Sequence, residues 1–114
     1  MVEISKNMEN GIYMLTVSGE VDASSSIHLD NAIEEAINSG KNKILVDCSE
    51  LHYISSAGLG VFMSYIEELN SKGISLVIFG LNDKVSNVFQ ILGLDQLLKI
   101  VETEDEAKSL VDAV

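Results

Sequence analysis
A strand-like apolar run that ends at a pair of serines and resumes as a helix constrains this chain more than any other stretch. Lys43 to Cys48 reads as a strand whose middle, Ile44-Leu45-Val46, lacks polar alternation, as expected of a central strand covered on both faces. A short polar loop follows, and Ser55-Ser56-Ala57-Gly58-Leu59-Gly60 then opens an amphipathic helix. A helix N-terminus carries unpaired amides and the positive end of the helix dipole. A serine there either caps the helix or, once phosphorylated, sets a dianion on a ready-made anion site. Both roles are open to Ser55 and Ser56, and the pair is the first candidate for a phosphorylation switch on a binding surface.

The flanking sequence supplies the rest of a small α/β domain. Residues 2–6 read as a short strand. Tyr13 to Ser18 reads as a longer one, stopping at Gly19-Glu20-Val21-Asp22, with N-cap candidates in Ala23 to Ser26. Leu29, Ala32, Ile33, Ala36 and Ile37 recur at helical spacing before Gly40. After the serines, Leu59, Phe62, Met63, Ile66 and Leu69 form one apolar stripe on a helix closed by Gly73. Val61 and Tyr65 form a second, narrower strip that suits either core packing or contact with a partner. Ile74 to Phe79 reads as a buried strand, Val85, Val88, Phe89 and Leu92 as a helix stopped by Gly93, and Leu97 to Val101 as an edge strand. Thr103-Glu-Asp-Glu106 is a capping box for a last helix carrying Ala107, Leu110 and Val111. Strands thus alternate with helices from residue 11 onward.

A length of 114 residues fits one domain spanning 1–114, able to bury a core without disulfides or metal. The only cationic side chains are seven lysines, and the net charge is −11. Nucleic acids and anionic membranes require a basic patch, so neither is an expected partner. No apolar run reaches the roughly 20 residues of a membrane span, and the polar N-terminus does not read as a signal peptide. The expected location is the cytoplasm, and the single Cys48 is expected in the core.

The patterns that would make this an enzyme are incomplete. A nucleophilic serine needs a histidine base, and only His28 and His52 are present, with no Gly-x-Ser-x-Gly elbow. Gly58-Leu-Gly60 is a fragment of a phosphate loop without its third glycine or its lysine; the two glycines better suit close approach by a neighbouring strand or a partner. Asp47 has no second carboxylate at metal-binding spacing, and His28, His52 and Cys48 do not make a zinc pattern. No catalytic residue, cofactor or metal is expected.

Three motifs together resemble the STAS domain of bacterial anti-sigma factor antagonists: Gly19-Glu-Val-Asp22, Ile44-Leu-Val-Asp-Cys-Ser49 and Ile54-Ser-Ser-Ala-Gly-Leu-Gly60. Gly80 and Leu92-Gly-Leu94 fit the same pattern, so the resemblance covers essentially the whole chain. It implies a small mixed β-sheet flanked by about four helices. It also implies a non-catalytic role in partner switching: the unphosphorylated form binds a serine kinase that is also an anti-sigma factor, releasing the sigma factor. The kinase, using ATP, then phosphorylates the antagonist and ends the complex, and a PP2C-type phosphatase restores it.

The resemblance places the acceptor at Ser56, with Ser55 as alternative, and an acidic neighbour at Asp22. The expected partner surface is Asp22, Ser55, Ser56, Ala57, Gly58, Leu59, Val61 and Tyr65. Two positions depart from the family pattern: Ser55 stands where aspartate is common, and Ala57 where serine or threonine is frequent. Stand-alone STAS domains also resemble subunits of lipid-transport ABC systems and of larger signalling assemblies, which is the alternative role.

Overall fold
We describe residues 2–112 in a computed structural model of the protein. Strand β1 (Val2–Glu9) turns through Asn10-Gly11 into β2 (Ile12–Val21). Asn10 and Gly11 have φ of 54° and 80°, the left-handed pair that a two-residue hairpin needs to match strand twist. That turn holds β1 in antiparallel register as far as Glu9, beyond the expected end at residue 6. The remaining elements are α1 (Ser26–Asn38), β3 (Lys43–Asp47), β4 (Leu51–Ile54), α2 (Ser56–Ser64), α3 (Ile66–Ser71), β5 (Ser75–Phe79), α4 (Asp83–Ile91), β6 (Lys99–Val101) and α5 (Glu104–Asp112). A 3₁₀ turn, Leu94–Gln96, precedes β6.

The strands form one mixed six-stranded sheet in the order β1-β2-β3-β5-β6, with β4 paired to β2. Only β1 is antiparallel; β2, β3, β5 and β6 are parallel neighbours. Gly19 pairs with Val2 on one edge of β2 and with Leu51 on the other. Strand β4 therefore takes up the edge that β3 leaves at Asp47. This corrects two expectations. The segment after Cys48 is a strand rather than a loop, and β2 runs on through Gly19-Glu20-Val21 because β4 supplies its hydrogen-bonding partners.

The helices cover the two faces unequally. Residues of α1, α2, α3 and α4 join Tyr13, Leu15, Val17, Ile44, Val46, Leu76 and Ile78 in the main core. On the opposite face α5 alone, through Ala107 and Val111, covers Ile12, Leu45, Val77 and Phe79. Strand β3 thus contributes to both cores, as its unbroken apolar run requires. Phe62 of α2 and Phe89 of α4 meet with ring centroids 6.1 Å apart and tilted by 55°, a favourable aromatic arrangement.

The helix after the serines is broken where a continuous one was expected. Tyr65, at φ −100° and ψ −5°, separates α2 from α3. At about 100° per residue, Gly58, Phe62 and Tyr65 share the inward side of this segment, while Ser56, Gly60 and Met63 fall together on the outward side. Gly58, Leu59 and Phe62 are accordingly buried and Met63 is 48% exposed, so Met63 leaves the expected core stripe. Leu59, Phe62 and Leu69 are buried as expected and Ile66 packs against the core; only Met63 falls outside, because the buried face also takes in Gly58 and Tyr65.

Candidate functional site
Parallel strands carry their carboxyl ends to one rim of the sheet, and the candidate residues gather there. Val21 and Ile54 are register partners at the ends of β2 and β4. The next residues along, Asp22 and Ser55, therefore leave the sheet side by side. The Ser55 amide donates to the Val21 carbonyl at 2.7 Å, extending the pairing one residue past Ile54.

The two serines have different jobs. Ser55 has extended backbone geometry, φ −80° and ψ 169°, and its Oγ accepts from the Gly58 amide at 3.2 Å. Its carbonyl accepts the first helical bond, from the Leu59 amide at 3.0 Å. Ser55 is the N-cap of α2, a role worth about 1 kcal/mol. Ser56 is the first residue of the helix and is exposed, so its hydroxyl stands outside the capping interaction. Aspartate is as good an N-cap as serine, so an aspartate at position 55 would serve the same capping role.

Asp22 organises the neighbouring turn. One carboxylate oxygen, Oδ1, accepts from the Ser24 amide and hydroxyl at 3.0 and 2.8 Å, and from the Ser25 amide and hydroxyl, both at 2.9 Å. Those hydrogen bonds, led by the Ser24 and Ser25 hydroxyls, hold its pKa down at about 2. Asp22 is a fully ionised carboxylate at neutral pH, fixed at the start of α1 and exposed at the rim. Its backbone carbonyl accepts from the Ser26 amide at 3.0 Å, while Ser25 occupies the cap position of α1 without a side-chain bond into the helix.

Close packing sets the height of α2 above the sheet. A Cβ on Gly58 would lie 2.7 Å from Cγ1 of Ile54 and 2.8 Å from Cγ1 of Val21, so only glycine lets the helix start directly over the paired strand ends. Two loops complete the rim. Asp47 Oδ1 accepts from the Ser49 amide at 2.9 Å and hydroxyl at 2.6 Å, which makes Asp47 a turn organiser. Gly80, at φ +81°, passes within 3.0 Å of the Ser49 amide, measured from where its Cβ would stand. Asn82 caps α4 by accepting from the Val85 amide at 2.8 Å and donates to the Leu51 carbonyl at 3.2 Å, tying α4 to β4.

Of the expected partner surface, Asp22, Ser56 and Ala57 are exposed and Ser55 is half-buried. Gly58 and Leu59 are buried and shape the site from beneath. Val61 is half-buried against the main core, and Tyr65 is 9% exposed with its hydroxyl donating to the Asp30 carbonyl at 3.3 Å. The narrow Val61–Tyr65 strip packs against the main core, and Tyr65 and Leu59 are buried. Sequence reasoning missed three exposed apolar residues on the same elements: Ile27 of α1, Tyr53 of β4 and Met63 of α2. Tyr53 was hidden by an irregularity: the β2–β4 register shifts by one residue at His52, so β4 lacks the alternation that marks a strand.

Among the described residues neither histidine is hydrogen-bonded to Ser55 or Ser56, and no cluster of three or more potential ligands could hold a metal ion. Burial, with the charge of Asp47 adding to it, pushes the Cys48 thiol far above its usual range and keeps it neutral. The apolar hollow beside Tyr53, lined also by Lys84, Val85 and Val88, is about 70 Å³. That is room for one inserted side chain, well below the roughly 300 Å³ of an ordinary small-ligand pocket.

Comparison with known proteins completes the description. The STAS domain profile matches residues 3–107. The anti-sigma-B factor antagonist of Listeria monocytogenes is 33% identical over 90 residues, 79% of each chain. That of Staphylococcus aureus is 28% identical over 101 residues, covering 89% of this chain and 94% of its own. A Thermotoga maritima protein described as a candidate anti-sigma factor antagonist superposes with a TM-score of 0.88 at 25% identity, over 96% of this chain and 94% of its own. No described helix is long and apolar enough to cross a membrane.

Proposed function
The chain belongs to the STAS domain family, among the anti-sigma factor antagonists, and on that footing we propose how it switches. In its unphosphorylated form it binds a serine kinase that is also an anti-sigma factor, and the sigma factor is released. That kinase phosphorylates Ser56 and ends the complex, and a PP2C-type phosphatase returns the protein to its binding form. ATP is the kinase's substrate, and the antagonist acts as a regulatory surface in the cytoplasm.

The observation that carries this reading is the division between the serines. Ser55 is engaged by the Gly58 amide, whereas Ser56 is exposed at the first position of the helix, one residue beyond the point where Ser55 and the ionised Asp22 leave the sheet side by side. A phosphate on Ser56 faces the N-terminus of α2, so the fold tolerates it. It adds close to two negative charges beside Asp22, on a surface the partner must desolvate. Repulsion and lost burial of about 3 kcal/mol lower affinity by more than two orders of magnitude.

The test is intact-mass analysis after incubation with the host's candidate serine kinases and ATP, followed by site mapping and a binding measurement. One phosphate on Ser56 that dissolves the kinase complex is the expected result. A phosphate on Ser55 keeps the mechanism and moves the site. No phosphate, from kinases active on other substrates, leaves a constitutive binding module.

A further inference from the structure
The two glycines of the serine motif are present for different reasons, and only one of those reasons lies inside the molecule. Gly58 is required by the Ile54 and Val21 side chains beneath it. Gly60 meets no such demand: a Cβ there would have nothing within 4 Å. Its φ is not among the positive ones. It sits inside α2, between Ser56 and Ser64, so it neither caps the helix nor turns the chain. A glycine in an exposed helix interior weakens the helix relative to alanine, and the fold gains nothing in return. Gly60 also lies one turn beyond Ser56, on the same outward side of the helix.

We infer that Gly60 is the point where the partner kinase's surface comes against the bare backbone of α2, so that the missing Cβ sets both the fit of the complex and the access of the kinase to Ser56. This rests on the switching mechanism proposed above and adds a specificity-determining residue to it. A bare patch one turn from the acceptor lets another surface pack against the main chain itself, at a distance any side chain would prevent. A larger residue holds that surface away from the helix and from the hydroxyl one turn before it.

The experiment compares wild type, Gly60→Ala, Gly60→Leu and the exposed α4 variant Gln90→Ala, using the host kinase that retains the wild-type protein. Melting temperature, affinity of the unphosphorylated form and kcat/KM for phosphorylation of Ser56 are measured for each. Gly60→Ala is expected to melt about 4 °C higher, because helix propensity improves. It is also expected to bind at least about tenfold more weakly, with kcat/KM falling in step and Gly60→Leu weaker again. Gln90→Ala is expected to match wild type. Wild-type affinity in a more stable Gly60→Ala overturns the inference and leaves the switching mechanism standing. If no host kinase retains or phosphorylates the wild type, the mechanism falls and the inference falls with it.

Discussion

The Ser55 hydroxyl accepts from the amide of Gly58 at 3.2 Å, and this contact separates a capping serine from the exposed serine immediately beside it. Adjacent serines of the same chemistry are thereby given different surroundings. Ser55 ends a strand pairing and caps a helix, while the hydroxyl of Ser56, the first residue of that helix, takes part in neither contact.

Ser56→Ala is expected to hold the protein permanently in its binding form, and Ser56→Asp to imitate the phosphorylated one. Both should fold as well as wild type, since position 56 is exposed and a carboxylate is favourable in the first turn of a helix. Calorimetric titration with the kinase checks the pair. Full-strength binding by a folded Ser56→Asp would count against charge as the basis of the switch.

Ser55→Ala should cost about 1 kcal/mol through the lost cap, and Ser55→Asp should restore it. Urea unfolding of the three proteins reads the difference directly. The result also tests whether position 55 tolerates serine or aspartate interchangeably because both serve as caps.

Gly58→Ala should destabilise by about 1–3 kcal/mol, because the new methyl group would stand 2.7 Å from Ile54 and force the helix away from the strand ends. A companion change, Ile54→Ala in the Gly58→Ala background, removes the Ile54 atoms from the collision and leaves Val21 Cγ1. Its cost should be smaller there than in wild type. Non-additivity in a double-mutant cycle of unfolding free energies is the readout.

Asp22 links stability to pH in a defined window. Its folded pKa of about 2 lies below the ordinary value of 3.8, so folding favours the ionised form. The stabilisation is complete above about pH 5 and is lost as pH falls from there through about 2. The stability gap between wild type and Asp22→Ala should therefore be constant near neutrality and close across that acid range. A carboxyl NMR titration of Asp22 gives the pKa itself, and a value near 3.8 would contradict the four-donor arrangement around Oδ1.

Much of this protein was determined by sequence alone, and for local reasons. Unbroken apolar runs in β3 and β5, helical spacing in α1 and the capping box Thr103–Glu106 are short-range patterns, and each produced the element expected of it. The Thr103 hydroxyl accepts from the Glu106 amide at 3.2 Å, as that box requires. The resemblance to anti-sigma factor antagonists was equally legible, because its three motifs keep their order and spacing along the chain.

Tertiary structure decided what depends on residues distant in sequence meeting in space. β4 exists because β2 offers it a free edge beyond Asp47, and nothing between Cys48 and Ile54 announces that neighbour. Tyr65 became core because α1 lies across it, and Met63 became surface because α2 buries its glycine side. Above all, a Ser-Ser dipeptide cannot say which hydroxyl is spent on a cap. That depends on the paired strand ends at Val21 and Ile54, which fix where the helix begins and leave Ser56 facing outward.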